Sequence, residues 1–170
     1  MTEKINTYTI SIYTENNIGL LNRISAIFLK RHINIESLTT SQSEIENIFR
    51  FVIVVTISDS KIKRIIKQIE KQIEVIAAFS HTDKETIFLE TALYKVKSKS
   101  LFDEKHIQKI IKKSRANIVT VSPNYFVIEK TGWREETEKL YDSLEPYGLL
   151  QFVRSGRISV SKEAMNISNV

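Results

Sequence analysis

Asn16, Asn17, Gly19 and Leu20 stand where a β-alternating run gives way to a helical apolar period. At this junction, residue types and spacing favour capture of a small ligand. Before it, Tyr8, Ile10 and Ile12 alternate with Thr7, Thr9 and Ser11, the period of a half-buried strand. After it, Leu20, Leu21, Ile24, Ile27 and Phe28 fall on one helical stripe. A glycine at a strand-to-helix turn lets a ligand approach the backbone closely. The amides of a first helical turn, aided by the helix dipole, favour an anion there. The asparagine side chains both donate and accept hydrogen bonds. The combination suits a zwitterion such as an amino acid better than a large phosphate. The same residues also read as a turn and cap with no ligand.

Other chemistries find less support. His32, His81 and His106 are isolated, with no spacing suited to a metal site or a proton relay, and no metal is expected. Serines and threonines lie in strands and turns without a nucleophile-elbow motif, so no catalytic residue is assigned. Four glycines in the whole chain leave no phosphate-cradling loop. An acyl-phosphate hydrolase would need a glycine-rich loop and an arginine at the first strand-to-helix junction, whereas Arg23 falls inside the helix. Phe49 and Phe51 share a strand face, as base-stacking aromatics do in RNA-binding folds, but the accompanying glycine-aromatic signature is missing. Core packing explains the two rings more simply.

The 170 residues allow one domain or two small ones, with 42% hydrophobic and 26% charged residues. The net charge of +5 is spread among acidic residues and points to no nucleic-acid partner. Without cysteine there is no disulfide and no thiolate metal site. Met1-Thr2-Glu3-Lys4 does not open a secretory signal, and no apolar run approaches bilayer length. A soluble, cytoplasmic protein is expected, with no membrane association.

One pattern of elements occurs twice. In the first half, a strand over 7–13 leads to a helix over 20–31. Two strands over 35–43 and 48–58 flank the turn Glu44-Ile45-Glu46-Asn47. A helix follows with Ile62, Ile65, Ile66, Ile69 and Ile73 on one face, then a strand over 75–82. After the polar joint His81-Thr82-Asp83-Lys84-Glu85, a strand over 87–96 precedes a helix over 103–114. Strands over 117–121 and 125–131 flank Ser122-Pro123-Asn124, a hairpin signal. A helix over 133–144, a strand over 149–155 and a mobile polar tail from Ser161 complete the chain. Two βαββαβ units imply an α+β protein with two ferredoxin-like domains in tandem, residues 1–82 and 83–170. Such folds carry many functions. The second strand, expected at a sheet edge, has neither Pro nor Lys, which invites homodimerisation there.

Glu15-Asn16-Asn17-Ile18-Gly19-Leu20-Leu21-Asn22-Arg23 and His32-Ile33-Asn34-Ile35-Glu36-Ser37-Leu38-Thr39, supported by Val121-Ser122-Pro123 and Val153-Arg154-Ser155-Gly156, carry a resemblance over nearly the whole chain. The sequence closely resembles the small, regulatory subunit of acetohydroxyacid synthase (acetolactate synthase). The resemblance implies an N-terminal ACT domain, an amino-acid-sensing module, followed by the family's C-terminal domain. It implies a catalytic large subunit as partner, holding thiamine diphosphate, magnesium and FAD, with no cofactor in this chain. That partner condenses two pyruvates, or pyruvate with 2-oxobutyrate, in branched-chain amino-acid synthesis. The small subunit raises its activity and, in many members, confers feedback inhibition by valine. Residue by residue, Asn16, Gly19, Leu20, Asn34 and Ile35 match the family's effector pocket, which lies between two ACT domains. Ile18 stands where the family often has a proline or a small residue, and Trp133 belongs to no family motif. A free-standing ACT-type sensor serving another enzyme is the alternative. Arg154-Ser155-Gly156-Arg157 reads as a basic segment that either touches the large subunit or turns a strand.

Overall fold

The computed structural model describes residues 4–99, 105–165 and 167. Asp103, the expected start of the third helix, lies outside them, as does the chain beyond 167. Contacts divide the chain into two compact units, one running to Phe88 and resuming at Arg157, the other comprising Leu89–Gly156.

In the first unit, strands β1 (Ile5–Glu15), β2 (Ser37–Gln42), β3 (Ile48–Ser58) and β4 (Val75–Thr82) form an antiparallel sheet in the order β2-β3-β1-β4. Helices α1 (Leu20–Leu29) and α2 (Asp59–Ile69) cover one face. Leu20, Ile24, Ile27 and Phe28 of α1, with Ile62, Ile65 and Ile69 of α2, pack on Tyr8, Ile10, Ile12, Ile53 and Val55. The 3.6-residue and two-residue periods therefore meet in one core. Ile73, expected on the α2 stripe, is fully exposed, because the helix ends at Ile69 and the spacing has no meaning past its cap. The α1 helix likewise stops at Leu29 rather than 31. His32 takes a left-handed φ of 52°, and the Ile33 amide bonds back to Phe28 O at 3.1 Å, so this histidine reverses the chain.

The second unit repeats the plan. Its strands β5 (Thr86–Lys97), β6 (Asn117–Val121), β7 (Tyr125–Gly132) and β8 (Leu149–Arg154) run in the order β6-β7-β5-β8. Helices α3 (Lys105–Lys113) and α4 (Arg134–Leu144) bury Ile107, Ile111, Leu140 and Leu144 against Tyr94, Val96, Phe126 and Ile128. The buried Tyr94 hydroxyl donates to Thr137 O at 2.7 Å, and burial raises its pKa. Trp133 caps α4 from outside the helix, its amide donating to Glu136 at 2.9 Å while its ring stays largely exposed. Two antiparallel sheets, each with its helices on one face, give the tandem α+β architecture. None of the helices among the described residues is long and apolar enough to cross a membrane.

The C-terminal segment departs from expectation. The sequence pattern ends the last strand at 155 and starts the tail at Ser161, yet Ile158–Ser161 forms a further strand, β9, that pairs with β5. Arg157 Nη1 reaches Asp83 at 2.6 Å and Thr9 Oγ1 at 3.0 Å, and its guanidinium lies 3.7 Å from the centre of the Phe88 ring. Arg50 Nη2 donates to Ser11 Oγ at 3.0 Å and to Ser159 O at 2.8 Å. Thus the face of β1 opposite the helices, with Thr9, Ser11 and Tyr13, is buried too. Compactness consequently breaks after Phe88 and Gly156, not at the 82/83 joint. The basic segment is also committed internally, since Arg154 pairs with Glu90 at 3.3 Å and Glu138 at 3.2 Å.

One polar cluster ties β1 to α2. The Tyr8 hydroxyl and the Asn6 amide both donate to Asp59. These bonds, Tyr8 first, hold the Asp59 carboxyl below its ordinary range. A carboxyl depressed on folding stabilises above its unfolded pKa of about 4 and loses that contribution as pH falls further. Asp59→Asn is expected to lower Tm at pH 7. The deficit should shrink between pH 5 and pH 2 in circular-dichroism melts, and a deficit independent of pH would contradict this account.

Candidate functional site

The strand-to-helix junction is built by short-range constraints. The Glu15 amide bonds to Glu74 O at 3.0 Å, fixing where β1 ends. The Asn17 amide then turns back to Glu15 O at 3.1 Å, and the Leu20 amide reaches Asn17 O at 3.3 Å. Gly19 precedes α1 with φ 83° and ψ −4°, a left-handed conformation that L side chains disfavour by roughly 1–2 kcal/mol. The first turn of α1 carries no acidic residue and no side-chain cap, so the positive end of the helix has no counter-charge of its own. Beside it, the Arg23 guanidinium is paired with Glu74.

A cavity of about 200 Å³ opens here, lined by Thr14, Glu15, Asn16, Gly19, Thr40 and Phe51 among others. It is smaller than the roughly 300–1,000 Å³ of clefts for drug-sized ligands, and so suits a small molecule. Its floor holds an unsatisfied group. Thr14 is fully buried, and its Oγ1 has no hydrogen-bond partner among the described residues. An unpaired buried hydroxyl costs about 1–3 kcal/mol, a penalty that a polar ligand atom would remove. The lining is thus chemically mixed, with helix amides and asparagine side chains for a carboxylate, Glu15 for an ammonium, and the Leu20, Phe49 and Phe51 side chains for an apolar group.

Of the five expected effector residues, Asn16, Gly19 and Leu20 line this cavity. Asn34 does not, lying with His32, Ile33, Ile57 and Lys61 around a separate depression of about 280 Å³. Ile35 packs against the first core. Within one chain, therefore, the five form two groups. Thr14, Thr40, Phe49 and Phe51 complete the first group and were not singled out as ligand contacts. Thr14 continues the inward alternation of Tyr8, Ile10 and Ile12, and a threonine in that series is the one sequence signal that could have pointed to it. Phe51, considered as a base-stacking ring, is 6% exposed and belongs to the core, so stacking is closed to it. Among the described residues, no cluster of three or more His, Cys, Asp or Glu could hold a metal ion.

Comparison with known proteins places the fold in a family. The AHAS small subunit-like ACT domain matches residues 10–77, and the family described as the small subunit of acetolactate synthase matches residues 89–163, through the returning β9. Fold and family matches thus define an ACT-domain regulatory protein. Over 156 residues the chain is 35% identical to the acetolactate synthase small subunit of Mycobacterium bovis, covering 92% of each. Over 154 residues it is 34% identical to that of Bacillus subtilis, covering 90% of this chain and 89% of the other. The crystal structure of the acetolactate synthase small subunit from Thermotoga maritima superposes with a TM-score of 0.81 at 26% identity, covering 94% of this chain and 99% of that one. The chain belongs to the acetolactate synthase small-subunit family. Its role is that of a regulatory subunit, and its partner is the catalytic large subunit.

Gly19→Ala tests the junction itself. A Cβ at Gly19 would meet nothing within 4 Å, so the substitution introduces backbone strain without a clash. Urea unfolding should show a loss of about 1 kcal/mol. No loss would mean that the turn relaxes to negative φ.

Proposed function

We propose that this chain activates the acetolactate synthase large subunit in the cytoplasm and carries feedback inhibition of that enzyme by valine. The chain itself supplies no catalytic group. Thiamine diphosphate, magnesium and FAD reside on the large subunit in this reading. The observation that carries the effector assignment is the cavity at Gly19, which combines an uncompensated helix N-terminus, the unpaired Thr14 hydroxyl and aromatic walls within about 200 Å³.

The separation of the five effector residues supports a homodimer. β2 is an edge strand without Lys or Pro, and it joins the two groups. Asn34 and Ile35 precede its start at Ser37, while Thr40, near its end, lines the Gly19 cavity. Two copies of an edge strand related by a two-fold axis pair antiparallel. The Asn34–Ile35 end of one protomer then lies beside the Thr40 end of its partner, and the site is completed across the interface. Valine bound there favours the paired arrangement over any other by its differential affinity, typically worth about 1–3 kcal/mol of coupling. One methylene changes binding by only about 0.8 kcal/mol, so leucine and isoleucine should bind weakly as well.

The direct test measures acetolactate formation by the large subunit alone, with this chain, and with this chain plus valine. Stimulation reversed by valine is expected. Absence of stimulation at every subunit ratio would overturn the reading in favour of a sensor for another enzyme. Gly19→Asp should preserve stimulation and abolish valine inhibition, because a Cβ there meets nothing within 4 Å and the added carboxylate repels that of the ligand. Thr14→Val keeps the volume and removes the orphaned hydroxyl. It should raise the Tm of the free protein while weakening valine inhibition about tenfold. Unchanged valine sensitivity would remove Thr14 from the site.

A further inference from the structure

The second unit contains a cationic cleft that the regulatory role leaves unexplained. On β7, Phe126, Ile128, Lys130 and Gly132 occupy the inward-facing series. Lys130 therefore holds a position whose neighbours are core residues, and it is 7% exposed. A buried ammonium is costly unless closely paired. The carboxylate that faces it, Glu136 Oε1, stands 3.7 Å away, beyond hydrogen-bond length, on a half-exposed side chain. The other oxygen of Glu136 already accepts the Trp133 amide. Gly132 makes this arrangement possible, since a Cβ there would come within 2.5 Å of Glu136 Oε2 and 3.1 Å of Lys130 Cε.

Lys130 opens onto a cleft of about 500 Å³ between the C-terminal end of α3, β7 and α4, lined also by Lys113, Ser114, Arg115, Lys139 and Ser143. Arg115 is held at the rim by a left-handed turn, φ 52°, in which its amide bonds to Lys112 O at 3.2 Å. Among the described residues, Lys113, Arg115 and Lys139 form no ion pair, so four cations converge on the cleft against one carboxylate. Lysines on a helix face ordinarily point into solvent. A buried lysine that shares one cleft with two further lysines and an arginine is arranged for a counter-ion of more than one charge. We propose that this cleft is an oxyanion site, taking inorganic phosphate or the phosphoryl group of a small metabolite. Lys130 would supply the desolvated charge, Arg115 a planar pair of donors, and Ser114 a neutral donor.

The test titrates the full chain, followed by amide NMR, with inorganic phosphate, with glycerol 3-phosphate, and with chloride at matched ionic strength. Saturable shifts of the Ser114, Arg115 and Gly132 amides with either phosphate, but not with chloride, are the expected result. Tighter binding of the ester would identify a metabolite as the source, and equal or tighter binding of phosphate the free anion. Lys130→Met retains the apolar stem and should weaken binding about tenfold. Lys139→Ala, on an exposed helix face where folding is not at stake, should weaken it by a smaller factor. Equal shifts with chloride would overturn the proposal, as would parental phosphate affinity in both variants.

Discussion

A central strand buried on both faces must offer each face a different chemistry, and β1 is that strand. Toward the helices it presents Tyr8, Ile10 and Ile12, which form the core without hydrogen-bonding obligations beyond one tyrosine hydroxyl. Toward the other face it presents Thr9 and Ser11, whose hydroxyls need partners once water is excluded. Arg157 and Arg50 provide them. The alternation that suggests a half-exposed strand in the sequence is thus fully used, one side by dispersion and burial, the other by charge-assisted hydrogen bonds. Because β1 also ends at the Gly19 cavity, the position of Thr14 and Gly19 follows from how this strand is clamped.

The legible part of the sequence was the part governed by local periods. The β3 and β4 limits, the Ile62–Ile69 stripe and the hairpin at Ser122-Pro123-Asn124 all lie where alternation or turn chemistry is strong. What escaped depends on long-range partners. The four residues of β9 are too short to show a period, and their pairing with β5 has no local signature. Arg154 and Arg157 look like a surface patch in the sequence because nothing local reveals that Glu90, Glu138 and Asp83 await them. Ile73 misled for the opposite reason, since a helical spacing continued past the residue at which the helix stops.

The candidate site divides along the same line. Asn16, Gly19 and Leu20 are neighbours in sequence, and the turn that joins them was readable. Asn34 was recognisable through resemblance only, and within a single chain it stands in a different depression. Thr14 was passed over because threonine is an ordinary strand residue. Its significance lies in being buried with no partner, a property of the folded environment and not of the residue type.

The return of Arg157–Ser161 to the first unit makes that unit discontinuous, with Leu89–Gly156 inserted into it. A ribosome therefore releases the whole inserted unit before the first unit can receive its closing segment, Arg157–Ser161. Until then Thr9 lacks its Arg157 donor and Arg50 lacks its Ser159 acceptor, so one polar face of the sheet stays open. The order of synthesis thereby delays completion of the first unit until the second is already present.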